Sequence, residues 1–360
     1  MKTDAAIIGA GPVGLLLARL LHQRGVEVLV LEKNEHRPVW SQAIGITPPS
    51  LEILQTLDLA QVFVSRGVPV HECQVHGEYE RVGMVSFREI GGAFPFVLSL
   101  PQTVTMELLE HPDVPVMRGV EVVEMAQDAG GVTLCCASGL KVRAQRVAAC
   151  DGSRSIVRAM LGIRTREHSY GCHFTMGDFR DASGLGDAAH VFFTSQGAVE
   201  SFPLPGGLRR WIVQAKDGVI PDLVRRRTGF LIETRDQIDQ HHFSPRRLDC
   251  ERIHQGRVVL CGDAAHVMSP IGGQGMNCGF GDAALLSRVW CGDAIMDDYD
   301  GQRRRVTAHA ASRAALGMWL GTRTGRWNCL WRDALFRALT HPLAARHAGG
   351  WFSMKSLPAS

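Results

Sequence analysis

The spacing of apolar residues changes twice within the first thirty-two positions. Ala5 to Ile8 form an unbroken apolar run, Leu15, Leu16, Leu17, Leu20 and Leu21 recur at helical spacing, and Val26 to Leu31, interrupted by Glu27, read as a second buried strand ending at Glu32. Short unbroken runs indicate strands buried on both faces, and recurrence near 3.6 residues indicates a helix. The prediction is strand, turn, helix, strand. Two later stretches, VAACDGSRSIVR (147–158) and RVVLCGDAAH (257–266), also run from a short apolar strand into an acid-bearing glycine turn. Residues 70–100 and 172–216 instead alternate in short runs, such as Ala189 to Thr194 and Arg210 to Ala215, with turn signals such as Pro205-Gly206-Gly207 between them. They read as antiparallel strands. After Asp300 the chain reads as helical, with Trp327, Trp331, Leu335 and Leu339 in one stripe broken by Arg323, Arg326, Arg332 and Arg337. A basic amphipathic helix can lie on a membrane. We read this one as packing on the body of the protein or on a second subunit, as in a homodimer.

Composition narrows the class. The chain has 360 residues, is 45% hydrophobic and carries a formal charge of +3. That suits two domains or one interleaved pair, and gives no reason to invoke nucleic acid. Arg225 to Arg227 and Arg303 to Arg305 read as solvated faces. Ten cysteines without a C-x-x-C argue against a metal site or a dithiol motif, and fit a reducing, cytoplasmic setting. The N-terminus resembles a signal peptide superficially, but Asp4 and the glycines interrupt it. The uncharged run from Ala264 to Gly281 is too rich in Gly, Pro and polar residues to sit in lipid.

The turns carry the chemistry. Gly9, Gly11 and Gly14 form G-x-G-x-x-G between a strand and a helix. Gly9 permits the tight turn, Gly11 the approach of a pyrophosphate to backbone, and Gly14 close helix–sheet packing. The helix N-terminus then offers free N–H groups and a positive dipole end. Glu32, at the end of the next strand, suits ribose hydroxyls. This predicts an adenine dinucleotide without separating NAD from FAD. A second glycine fingerprint after a strand does not occur. The stretch from Leu260 to Leu286 holds six glycines, two acids and no Lys or Arg. Gly262 and Asp263 end a strand, and the Gly272-Gly273-Gln274-Gly275 turn opens a helix. We read the missing side chains as room for a flat ring against backbone.

These three motifs, in this order, resemble the single-component FAD-dependent monooxygenases, the p-hydroxybenzoate hydroxylase-like family. The resemblance spans nearly the whole chain. It implies an α/β fold in which a Rossmann-like FAD domain is interleaved with a mainly antiparallel substrate sheet, followed by a helical C-terminal region. The boundaries it suggests are 1–69, 101–171 and 250–300 for FAD, 70–100 and 172–249 for substrate, and 301–360 for the helices. It implies that Asp263 meets the ribityl or pyrophosphate region and that Pro270 lies beside the reactive ring face. Gly262, Gly273 and Gly275 belong to the same motif, and Met276 and Asn277 offer backbone N–H to the pyrimidine edge. Asp151 falls in the motif tied to FAD and NAD(P)H, and Gln102 matches a Gln near the FAD phosphates. One departure stands out: Gln42 occupies the place where many relatives carry an Arg on the pyrophosphate. A neutral hydrogen bond is about half as strong as a charge-assisted one, so FAD is held less tightly unless Arg37 compensates.

In the family the antiparallel sheet roofs the substrate pocket. Phe94, Phe96, His173, Met176, Phe192 and Trp211 are pocket-wall candidates, with core packing as the competing reading for each and a structural histidine as that for His173. The implied activity is hydroxylation of an aromatic or polyketide-like molecule with NAD(P)H and O2, through a flavin C4a-hydroperoxide. The catalytic base is unassigned. A halogenase is disfavoured because Trp211 is followed by Ile212-Val213-Gln214 rather than W-x-W-x-x-P. A prenyl-chain reductase or oxidase, and a non-catalytic FAD-binding scaffold, are the alternatives.

Overall fold

The computed structural model describes residues 1–39, 43–270, 273–339, 349–350 and 353–355. Gln42 and the end of the chain therefore lie outside the described residues. The first sheet has a parallel centre. Val116–Arg118, Val28–Glu32, Lys2–Ile8, Lys141–Ala149 and Val258–Leu260 lie side by side in that order, all parallel. Gly131–Cys136 and Val122–Asp128 extend it as an antiparallel meander, and His254–Gln255 closes its far edge. Ala5, Ala6, Ile7 and Ile8 are buried without alternation, as a strand covered on both faces requires. Helix Pro12–Gln23 covers one face through the predicted leucines. The second strand starts at Val28 rather than Val26. Val26 still belongs to the helix-closing turn at Gly25 (φ +77°), where its N–H bonds the Leu21 carbonyl.

The second sheet has seven strands in the order His241–Phe243, Phe174–Arg180, Leu208–Val213, Gly197–Leu204, Ala189–Thr194, Glu72–His76, Arg81–Ser86. Every neighbouring pair is antiparallel except Ala189–Thr194 with Glu72–His76. One face is closed by helix Ile220–Thr228, whose Ile220, Leu223 and Val224 pack on Phe179, Phe192, Val199, Trp211 and Val213. Short strands Gly45–Ile46, Val97–Ser99 and Val68–Val70 form a separate small sheet. It touches the substrate sheet at Gly197–Leu204, where the Ser99 hydroxyl donates to the Pro203 carbonyl at 2.6 Å.

The helices after the second sheet tie the layers together. Gln274–Trp290 packs on Pro12–Gln23 and on the long helix Met296–Gly321. The last long helix, Arg326–Leu339, corrects the apolar stripe read from the sequence. Among the described residues its buried ones are Cys329, Arg332 and Phe336, while Trp327 is 84% exposed and Trp331 lies at the surface. It packs on the substrate sheet: Phe336 stacks on Phe193 at 4.9 Å between centroids, and the Arg332 guanidinium sits 4.7 Å over the same ring. The Arg303–Arg305 run is corrected too, because Arg303 is fully buried. Among the described residues, no helix is long and apolar enough to cross a membrane.

Candidate flavin and substrate site

Parallel pairing brings the three motif-bearing strands to one level. Ile8 pairs with Ala149, and Ala149 with Leu260. The residues that follow them are Gly9, Cys150-Asp151 and Cys261-Gly262, so three turns distant in sequence meet at one edge of the sheet. Gly9 (φ +104°) lies against the Cys150 carbonyl, leaving no space for a Cβ. A Cβ at Gly14 would strike the Gly9 carbonyl oxygen. Gly11 differs: nothing lies within 4 Å of where its Cβ would be. It starts a helix with no acid in its first turn and no side-chain cap, so the first amides face that space. Glu32 takes the Ala10 N–H at 2.9 Å and, through its other oxygen, the Asn34 N–H at 2.9 Å. This fixes a carboxylate at the strand end beside the turn.

Asp151 accepts the Val157 N–H at 3.2 Å through Oδ2, while its buried Oδ1 meets no donor among the described residues. Burial pushes this carboxyl up, against the lowering effect of Ser155 and nearby backbone N–H groups. Arg158 bonds the Ala264 carbonyl at 2.9 Å and the Ser153 carbonyl at 3.0 Å, tying the second motif to the third. Asp263 is reachable by solvent, yet protein around it raises its carboxyl by desolvation, with His266 and Arg246 opposing. Asp263 thus stands open to solvent beside the strand end, with protein packed closely around it.

The glycine-rich stretch divides in two. The spaces beside Gly262 and Gly279 are filled by Val13, and that beside Gly281 by the Arg303 guanidinium, so these glycines serve helix packing. Gly273 (φ +63°) has nothing within 4 Å of its Cβ position, and Gly275 has only Met268 at 3.8 Å. They open helix Gln274–Trp290, again with no side-chain cap. Among the described residues of this stretch, the room read from the sequence therefore exists at Gly273 and Gly275. Met276 is half-buried beside them and Pro270 is exposed. The Asn277 side chain accepts the Thr47 N–H at 2.9 Å and the Ser50 hydroxyl at 2.7 Å, and donates to Gly45 O at 2.9 Å. It locks residues 45–50 to the helix start. Gln102 opens helix Gln102–Leu109, where its N–H donates to Ala43 O at 3.1 Å and its side chain accepts the Ala43 N–H at 3.2 Å. Arg37 is bound to Glu110, which Arg118 also holds.

Sequence reasoning missed a buried charged group beneath the site. Asp282 takes the Gly262 N–H at 2.8 Å, His266 Nε2 at 2.7 Å and Arg303 Nε at 2.6 Å. Burial alone would raise its carboxyl, but His266 and Arg303 hold it well below the ordinary range. An acid inside a glycine-rich helix, beside no base in sequence, was the available signal. The thiols nearby stay protonated. Cys150 is held well above its usual value by its hydrogen bond with Cys261 and by burial, and burial pushes Cys278 up to about 12. Among the described residues, His22, His111 and Asp113 have ligand spacing for a metal, but Asp113 is exposed and the Asp113 N–H already bonds His111 Nδ1 at 3.2 Å.

The pocket candidates separate by face. Met176 projects from the face opposite helix Ile220–Thr228, and Phe192 and Trp211 project into the core under that helix. Phe94 and Phe96 belong to the main core cluster. His173 is exposed, its Nδ1 at 2.8 Å from the Ser244 hydroxyl.

A fold with a dinucleotide turn, two further strand-end motifs at the same edge and an antiparallel roof defines a flavin-binding oxidoreductase class. A family model described as an FAD binding domain matches residues 2–314, and the chain belongs to that family, among the FAD-dependent monooxygenases of p-hydroxybenzoate hydroxylase-like type. A rifampicin monooxygenase from Streptomyces venezuelae is 33% identical over 84% of this chain and 68% of its own length. A 3-(3-hydroxy-phenyl)propionate/3-hydroxycinnamic acid hydroxylase from Paraburkholderia xenovorans is 30% identical over 94% of this chain and 58% of its own length. The chain thus spans about two thirds or less of these curated relatives. The crystal structure of p-nitrophenol 4-monooxygenase from Pseudomonas putida superposes with a TM-score of 0.89 over the full length of both chains, at 23% identity. Anhydrotetracycline hydroxylase from Streptomyces rimosus superposes at 0.81 over all of this chain and 77% of that one, at 26% identity.

Proposed function

We propose that the protein is an NAD(P)H-dependent FAD monooxygenase that hydroxylates an aromatic, polyketide-like small molecule with O2. The observation that carries this is the shared level of Ile8, Ala149 and Leu260, with two uncapped helix N-termini opening beside those strand ends. The residues fit FAD. Gly11 leaves space for a pyrophosphate, Glu32 stands at the ribose position, and Asp151 and Asp263 are desolvated acids at neighbouring strand ends. Gly273, Gly275, Met276 and Asn277 offer helix-start amides to the ring's pyrimidine edge. Bound FAD supplies the redox chemistry, the transfer of electrons from NAD(P)H and of one oxygen atom to carbon. The chain's own part is to hold, orient and exclude water.

We retain the division into a discontinuous FAD domain (1–69, 101–171, 250–300), a substrate domain (70–100, 172–249) and a helical region (301–360). The cytoplasmic setting draws support from ten free cysteines. Names of relatives that act on rifampicin, tetracyclines and hydroxyphenylpropionate support the substrate class. We assign Gln42 to the pyrophosphate. Because Arg37 is committed to Glu110, we expect Gln42→Arg to tighten FAD retention, read as flavin content after dialysis.

The test is a panel of phenols, quinones and polyketide aromatics offered to the yellow holoprotein, scored as NAD(P)H oxidised minus peroxide released. Substrate-dependent consumption with oxygen from O2 in the product is expected. NAD(P)H reduction without oxygenation of any compound would turn the reading toward a reductase or oxidase. No reaction with either nicotinamide would turn it toward a scaffold.

A further inference from the structure

The face of the substrate sheet opposite helix Ile220–Thr228 carries one acid within an apolar row. Val75, Val191, Glu200, Ile212 and Met176 stand at one level on five consecutive strands, each directly paired with the next. Directly paired residues share a face, and this is the face opposite helix Ile220–Thr228. Val75 and Met176 are buried, while Val191, Glu200 and Ile212 are only half-buried, so the middle of the row borders open space. The Val75 end is closed by Phe336. Among the described residues no hydrogen-bond donor reaches the Glu200 carboxylate, and desolvation raises it to about 7.

Nothing ionisable nearby explains the acid. Cys73 faces it from strand Glu72–His76; burial, then Glu200 itself, push that thiol up to about 12. His241 pairs with Met176 at the far end of the row. Asp178 and Arg210, two residues along on the same face, bind each other at 2.6 and 2.8 Å. Arg332 is stacked over Phe193. Strands Val68–Val70 and Val97–Ser99, which pack on Gly197–Leu204, bring no ionisable side chain. A desolvated carboxylate without a partner destabilises a fold, so its place on this face, bordering open space, calls for a ligand.

We propose that Glu200 is the catalytic base that takes the phenolic proton of the aromatic substrate. The assignment rests on the hydroxylase reading above. In this step the phenolic O–H bond breaks, its proton bonds to a Glu200 oxygen, and the electron pair stays on the ring oxygen. Glu200 becomes a neutral acid and later releases the proton through its open side; the step consumes no oxidant. The phenolate is electron-rich at its ortho and para carbons, which favours attack by an electrophilic oxygen. A base that titrates near the working pH suits this transfer.

The test uses holoenzyme and the phenol from the panel that gives most product. Wild type, Glu200→Gln and Glu200→Asp are compared for kcat/KM of hydroxylation against pH, and for the phenolate absorption band formed when that phenol binds the oxidised protein. Flavin content checks folding. The wild type should lose activity below about pH 7 and form the band. Glu200→Gln should keep its flavin, lose about a hundredfold in rate, lose the limb near pH 7 and lose the band, with Glu200→Asp recovering part of each. A Gln variant that keeps both limb and band while the wild type hydroxylates phenols overturns the base alone. A wild type that is reduced by NAD(P)H yet hydroxylates no phenol overturns the hydroxylase reading and the base with it.

Discussion

Gly11 and Gly14 stand three residues apart and answer to different demands. A side chain at Gly14 collides with backbone, whereas Gly11 has ordinary extended geometry (φ −75°, ψ 177°) and empty space before it. Gly14→Ala should therefore cost about 1–3 kcal/mol of stability, seen as a lower Tm. Gly11→Leu should leave the Tm of the flavin-free protein unchanged and lower its flavin content instead. Asp282→Asn removes one charge from a buried group and strands Arg303 and His266, a loss of about 3–5 kcal/mol by chemical denaturation. The sign against pH follows from its depressed carboxyl. The stability it contributes is present above the ordinary carboxyl range and is lost as pH falls toward the folded-state value. The wild type should thus lose more stability than the Asn variant between about pH 4 and pH 2. Glu200 has the opposite sign. Raised to about 7, it takes up a proton on folding, so stability falls as pH rises from about 4.3 to that value. Glu200→Gln should raise Tm above pH 7 and leave it unchanged at pH 4. The glycine fingerprint was legible because its spacing alone defines the turn. Asp282 was not, because its three partners come from residues 262, 266 and 303.

Among the elements, the helix Arg326–Leu339 shows where hydropathy misleads. The Trp327–Trp331–Leu335 stripe looks like a packing face, and Arg332 looks like an interruption. In the structure the Arg332 guanidinium sits over Phe193 and donates to the Leu320 and Arg323 carbonyls at 3.2 and 3.1 Å. A guanidinium packed on a ring and donating through its terminal nitrogens behaves as part of a core, which its sequence neighbours do not reveal. Phe336→Ala should cost about 3 kcal/mol and speed amide exchange across this helix. Trp327→Ala should stay within about 0.5 kcal/mol of wild type. The strands were read more faithfully. The alternation at Ala189–Thr194 and the unbroken run at Ala5–Ile8 both matched their burial, because period and burial express the same geometry.

Across the whole molecule, the meeting of three strand ends was foreseeable because each motif marks itself locally and parallel crossovers constrain where the ends go. The faces of the roof were less legible. An alternating strand says that two faces differ, not which one a helix covers: Phe192 and Trp211 take the core-packing alternative under helix Ile220–Thr228, and nothing in the sequence around Glu200 singles it out. Asp263→Ala should yield largely colourless protein. Added FAD should raise the wild-type Tm by mass action and leave that variant's Tm unmoved; full flavin content in the variant would remove Asp263 from the flavin site. Cys150 and Cys278 sit in the frame of a centre built to handle dioxygen. Sulfur is corroded by peroxide chiefly as thiolate, and both thiols are held protonated by their surroundings. The scaffold is thereby armoured against its own by-products: after many idle cycles, peptide mass spectrometry should find these two sulfurs still reduced.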